Sequence, residues 1–340
     1  MKTRTKLLSL LLCAAMLLPL FACSGSQSAG TPAPKDTAAP AASSAPAASG
    51  AAEGYPDHSI SLIVNFAAGS GTDLVTRALS DAITKEIGTA VTVTNLPGGS
   101  GSLGMTELAN SKADGYTMGV VTLGALTVIP YQLDVTYTPD SYKYICAYAQ
   151  YGYGIVVKAD SPYQTLEDLL EASKTTPINY GASGYPQPIV MAELCELSGA
   201  NLNYVQYSSN TDMIADILGG FLPCGIESLG SISAYVESGD MRLLASAHDK
   251  RWDIEPDVPT IQEVGYDVVC KSYMGLCVPA DTPDEIVEFL RDALDRAWED
   301  EAFQEILANT NTIAGYLSGE EYEALCYQMY KENGEALGNG

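Results

Sequence analysis

The sequence predicts an α/β protein of two lobes, each a mostly parallel sheet flanked by helices. Three observations predict it. Strand-like and helix-like runs alternate from about residue 55 to the C-terminus, the pattern of strands joined by right-handed helical crossovers. The arrangement of strand, small-residue turn and helix occurs at 60–87 and again at 178–197. A late strand at 272–278 can return the chain to the first unit. Two such units joined by crossing segments place a cleft at the carboxyl ends of both sheets.

The opening stretch organises the rest. Ile60, Leu62, Val64 and Phe66 alternate as a strand does, and residues 67–71 are all small. Leu74, Val75, Ala78, Leu79, Ala82, Ile83 and Ile87 then follow helical spacing until Gly88 stops the run. Ser70 precedes Asp73 by the three residues of a capping box. Further strands are expected at 90–95 and 116–122, with a glycine-rich turn and a helix through 110 between them. Residues 131–150 read as a Tyr-rich connection.

The second unit reads as strands at 154–158, 178–181, 202–207, 222–227 and 241–247, with helices at 165–174, 187–197, 211–218 and 231–237. Capping boxes at Thr260/Glu263, Thr282/Glu285 and Ser318/Glu321 predict three further helix starts. The C-terminal helices, 284–300, 301–309 and 319–335, are expected on the first lobe. That lobe is expected to comprise 55–150 plus 270–340, and the second 151–269.

The totals narrow the function. The 340 residues carry 17 basic and 42 acidic side chains, a formal charge of −25. Such a field disfavours nucleic acid and acidic lipid surfaces, so neither is an expected partner. An anionic ligand would have to be held locally against that field.

Lys2, Arg4 and Lys6 precede an apolar run at 7–20 and then Phe21-Ala22-Cys23, the layout of an export signal. LFAC at 20–23 resembles the lipobox of bacterial lipoproteins, which implies cleavage after residue 22 and lipidation of Cys23. An ordinary signal peptide with an incidental cysteine is the alternative. Residues 23–54 are nearly all Ser, Gly, Ala, Pro, Thr and Gln, and cannot bury enough apolar area to offset ordering entropy. They are expected to be a disordered, lipid-anchored tether, and the whole chain an extracytoplasmic monomer held at the membrane. The six cysteines beyond Cys23 contain no C-x-x-C pair and sit singly in apolar runs, which suggests buried thiols.

The two turns suggest binding chemistry. A small-residue turn at a strand end presents backbone N–H groups at the positive end of a helix, an anion pocket that needs no cationic side chain. Equally, the small residues can simply make a tight turn with Asp73 as its cap. One turn per lobe would clamp a carboxylate from two sides. Enzyme chemistry has little support. His58 and His248 are the two histidines and both read as surface residues, so no metal site is expected. GASG at 181–184 lacks the second glycine of a nucleophile elbow, although an exported hydrolase remains the alternative of a different class. Gly99, Gly101 and Gly104 spell G-x-G-x-x-G, but after a strand cut short by Pro97, and no cofactor is expected.

Six segments together carry a resemblance. IVNFAAGSGTD at 63–73 resembles the I-V-x-F-x-x-G-G-x-x-D turn of the tripartite tricarboxylate transporter substrate-binding receptors, also called Bug receptors. NLPGGSGSLG (95–104), DGYT (114–117), YGASG (180–184), VPTIQEVG (258–265) and GLCVPADTP (275–283) are similar to further motifs of that family, in the same order. The resemblance implies a periplasmic-binding-protein-like fold of type II. It implies a small organic carboxylate as ligand and two membrane subunits of a secondary transporter as partners. A receptor of the same fold serving an ATP-driven importer is the alternative. Carried over position by position, the expected site is Phe66, Ala68, Gly69, Ser70, Thr72 and Asp73 in lobe one, with Ala182, Ser183, Gly184, Tyr207 and Glu227 in lobe two. Ser70 and Ala182 depart from the family's glycine and serine, and Glu227 stands where the family usually has Asp. An ionised Glu227 facing the cleft would oppose a second carboxylate and suit an amine- or hydroxyl-bearing ligand. The same residue could instead cap a helix.

Overall fold

The computed structural model describes residues 54–338. The expected signal segment, Cys23 and the tether up to residue 53 lie outside the described residues. β1 (Ile60–Val64) leads into α1 (Gly71–Ile87), and β2 (Val91–Asn95) into α2 (Ser102–Ala109). β3 (Thr117–Thr122) passes straight into the short α3 (Leu123–Thr127), and β4 (Tyr142–Gln150) follows. The middle of the chain is β5 (Tyr153–Lys158), α4 (Leu166–Thr175), β6 (Ile178–Ala182), α5 (Gln187–Ser198), β7 (Leu202–Gln206), α6 (Asn210–Leu218), β8 (Cys224–Ser228), α7 (Leu229–Glu237) and β9 (Met241–Ser246). It closes with β10 (Tyr273–Pro279), α8 (Asp284–Trp298), α9 (Glu301–Asn309), β11 (Ile313–Ser318) and α10 (Gly319–Ala336).

The strands form two sheets, one ordered β11-β4-β10-β3-β1-β2 and the other β7-β6-β8-β5-β9. β1 is parallel to β2 and β3, and β6 is parallel to β7 and β8. β10 is antiparallel to β3 and β4, β11 to β4, and β5 to β8 and β9. Both sheets are therefore mixed rather than mostly parallel. A helical crossover restores a strand's direction, and the strands beside the crossings between sheets lack one. β4 hands the chain to β5 through Tyr151 and Gly152 alone, and the Tyr151 N–H donates to Ser272 O at 2.9 Å, tying this crossing to the returning one.

The first sheet is covered on both faces. Val75, Leu79 and Ile83 of α1 join Leu290 and Leu294 of α8 in one core, while Met105, Leu108, Leu126 and Tyr322 belong to a second. Double coverage buries Leu62, Ile63 and Val64 in succession and blurs the period-two alternation. Gly88 ends α1 as expected, at φ 71° with its N–H on Thr84 O at 3.0 Å.

Several local expectations are overturned. The Tyr-rich connection at 131–150 contains β4, and eight of its nine residues are buried. β11 and α3 lie where the sequence predicts no element, and they are only six and five residues long. The Thr260–Glu263 box forms both of its bonds, at 2.8 and 3.1 Å, yet encloses a turn and no helix. Thr282 turns its hydroxyl to Pro279 O at 2.7 Å, leaving Pro283 as the cap of α8 with no side-chain bond. His248 is buried, with 6 % of its surface exposed, rather than a surface residue.

Candidate functional site

The first turn is held by its aspartate. Ser70 caps α1, and its Oγ accepts the Asp73 N–H at 3.3 Å. The Asp73 carboxylate reaches back past Ser70 to the Gly69 N–H at 2.8 Å. It also accepts Arg77 Nε at 3.0 Å and Asn95 Nδ2 at 2.7 Å, and Arg77 Nη2 lies 3.0 Å from its other oxygen. Burial alone would raise this carboxyl, but the Arg77 guanidinium, the Gly69 N–H and the Asn95 amide together hold it below the ordinary carboxylate range. Asp73 is thus committed to shaping the turn. Gly69 adopts φ 80°, which a side chain would strain.

The turn has fewer free donors than its composition suggested. The Gly69 N–H goes to Asp73, and the Ser70 N–H to Ala67 O at 3.1 Å. Ala67, Ala68 and Gly71 are left as the amides between Phe66 and Thr72 without a hydrogen bond to the described residues, and all three residues are exposed. Phe66 is half-buried. Thr72 is buried, its hydroxyl joined to that of Tyr151 on the crossing between the sheets.

The second turn follows β6. Ala182 is buried and its carbonyl accepts the Tyr207 N–H at 3.0 Å. Ser183 and Gly184 are half-buried, and a Cβ on Gly184 would meet nothing within 4 Å. The Ser183 hydroxyl donates to Glu227 Oε2 at 3.0 Å, and the Ser228 N–H donates to Glu227 Oε1 at 2.8 Å. Glu227 is 3 % exposed. Burial raises its carboxyl, and the Ser228 and Ser183 bonds offset only part of that rise. Since Ser228 caps α7, Glu227 stands at a helix start and beside the second turn at once. Tyr207 contributes its backbone to this neighbourhood, whereas its hydroxyl donates to Asp216 at 2.7 Å.

Tyr151 relates the two turns, and Tyr185 brings the second turn beside α3. Tyr151 binds Thr72 in the first and stands close enough to Glu227, beside the second, for that carboxylate to raise its phenol. Tyr185, which follows Gly184, brings its carbonyl so near Gly124 of α3 that a Cβ there would lie 3.1 Å away. Arg77, Asn95, Tyr151 and Ser228 were missed as contributors. Arg77 sits four residues beyond Asp73, a legible ion-pair spacing. No local signal marks Tyr151. Cavities of about 300 and 350 Å³ lie elsewhere, and no residue of either turn lines them. Among the described residues no group of three His, Cys, Asp or Glu side chains could hold a metal ion, and the six cysteines are free thiols.

Two mixed sheets with hydrogen-bonding turns at the strand ends define a two-lobed binding protein. Residues 75–337 match the tripartite tricarboxylate transporter family receptor, and the chain belongs to that family. Members of this family are solute-binding receptors rather than enzymes. A relative from Cupriavidus necator, named UPF0065 protein in gbd 5'region, is 31% identical over 286 residues, covering 83% of this chain and 87% of its own length. The crystal structure of a TctC solute binding protein from Polaromonas, with no ligand, superposes with a TM-score of 0.75 at 27% identity, over 84% of this chain and 100% of that one. An R. palustris protein solved with adipate shares the fold, with a TM-score of 0.71 at 22% identity, over 84% of this chain and 98% of its own.

Proposed function

We propose that this chain is an extracytoplasmic lipoprotein receptor that takes a small organic carboxylate between its two turns and delivers it to the membrane subunits of a tripartite secondary transporter. The observation that carries the reading is the first turn. Asp73 fixes its shape through Gly69, Arg77 and Asn95, and the neighbouring Ala67, Ala68 and Gly71 amides remain available to an anion. Amides fixed in advance at a helix start bind an anion with little reorganisation. Ser183 and Gly184 supply the opposing turn. The lobes run 55–150 plus 270–340 and 151–269, the protein acts as a monomer, and lipidated Cys23 keeps it at the membrane. The family membership and the adipate-bound fold neighbour support a carboxylate as cargo.

Thermal melting against a panel of organic acids tests the reading. A ligand at a hundredfold excess over its Kd adds about 2.7 kcal/mol of stability and raises the melting temperature measurably. A panel without effect, or turnover of any acid, overturns it. Mass spectrometry of the intact protein checks for a lipid on Cys23.

A further inference from the structure

The bond between Ser183 and Glu227 has a sense. An ionised carboxylate only accepts, so the Ser183 proton lies on the line to Glu227 Oε2 and the outer lone pairs of Ser183 Oγ face away from it. In that state Ser183 can accept a hydrogen bond from a ligand and cannot give one through its hydroxyl. A neutral Glu227 reverses the bond: Oε2–H donates to Ser183 Oγ, and the serine proton turns outward. The Ser228 N–H on Oε1 serves both states unchanged.

Resting on the carboxylate-receptor reading above, with Ser183 in contact with the ligand, we propose that Glu227 sets the hydrogen-bonding sense of Ser183 and thereby sorts ligands by class. A carboxylate that offers only acceptors to Ser183 enters together with one proton, taken from solvent onto Glu227 Oε2. A 2-hydroxy or 2-amino acid that brings its own donor enters without one, onto ionised Glu227. The chemistry balances as a single protonation, with no covalent bond made or broken in the ligand.

The surroundings suit such a pair. Glu227 is almost fully buried, so its charge is poorly solvated and easily lost. The titratable groups that face it are the phenols of Tyr151, on the crossing, and Tyr153, on β5. Burial raises both phenols, so neither ionises in the range where the carboxyl does. No charged side chain is bonded to Glu227 among the described residues, and the groups that bond it come from its own strand end and from the second turn.

Calorimetry in two buffers of different ionisation enthalpy counts the proton directly. The panel holds fully ionised acids of both classes, adipate among the acceptor-only ones, titrated from about pH 6 to about pH 9. Acceptor-only acids are expected to take up close to one proton once the pH exceeds the Glu227 pKa of the free protein, with affinity falling about tenfold per pH unit there. Donor-bearing acids are expected to take up none. Glu227→Gln keeps a carbonyl for Ser228 and gives Ser183 a permanent donor, so acceptor-only acids should bind it with no proton and no pH slope. Wild-type binding of an acceptor-only acid without proton uptake overturns the proposal, as does uptake with a donor-bearing acid, or a wild-type slope in Glu227→Gln. Any of these leaves the receptor reading standing. A panel in which nothing binds removes that reading and this one together. The wild-type calorimetry decides the matter even if the variant fails to fold.

Discussion

Thr72 and Tyr151 join their hydroxyls, although 79 residues separate them. One stands in the first turn of α1, and the other on the short passage from β4 to β5. The bond anchors the first turn to the segment that joins the two sheets.

Tyr151→Phe removes this link and leaves the ring. The Thr72 hydroxyl, buried, loses its partner, and the expected loss of stability is about 1–3 kcal/mol. Urea unfolding measures it. Carboxylate affinity should weaken as well, and a variant with full affinity would show that the tether does not position the turn.

Asp73→Asn keeps the shape of the side chain and reverses half of its bonding. Whichever way the new amide turns, its N–H2 faces either the Gly69 N–H and Arg77 Nε or the Asn95 amide and Arg77 Nη2, so donors face one another in a buried place. The expected cost is about 1–3 kcal/mol with a marked loss of carboxylate affinity. The sign in acid also follows. The folded carboxyl lies below its ordinary value, so its contribution is complete above the unfolded pKa and is lost as pH falls through the folded one. Acid unfolding below about pH 4 should therefore lose this component in the variant.

Gly69 and Gly184 each lie in a turn between a strand and a helix and should respond differently to alanine. At φ 80°, Gly69→Ala forces a side chain into the left-handed region at a cost of about 1–2 kcal/mol. Gly184→Ala places its methyl in open space and should leave folding intact. Gly184 belongs to the second turn, so the effect should appear in ligand titrations rather than in melting curves.

His248 makes a separate prediction. Burial holds its imidazole below the ordinary value, against the pull of Asp249. The unfolded chain therefore binds the proton more readily than the folded one. Stability is complete above an unfolded pKa of about 6.5 and declines as pH falls from there through the lower folded pKa. Denaturant midpoints between pH 7.5 and 5 should show that decline, and His248→Gln should lack it.

Local chemistry was legible where neighbours in sequence determine it. Ser318 accepts the Glu321 N–H and Glu321 answers at the Ser318 N–H, because both partners belong to one turn of chain. The same logic failed at Thr282, whose hydroxyl donates back to Pro279 O while the helix starts one residue later, with Pro283 at the cap position. The strand character of β4 is set by β10 and β11, strands far along the chain that pair with it on either side.

The order of residues alone determined the family, the succession of βα units and the two small-residue turns, since spacing, caps and glycines act over a few positions. Tertiary structure alone decided what those turns contain. It joined Asp73 to Asn95, Thr72 to Tyr151 and Ser183 to Glu227, contacts between residues 22 to 79 positions apart. Which donors remain free for a ligand depends on those distant partners, and a distance along the chain does not encode a direction in space.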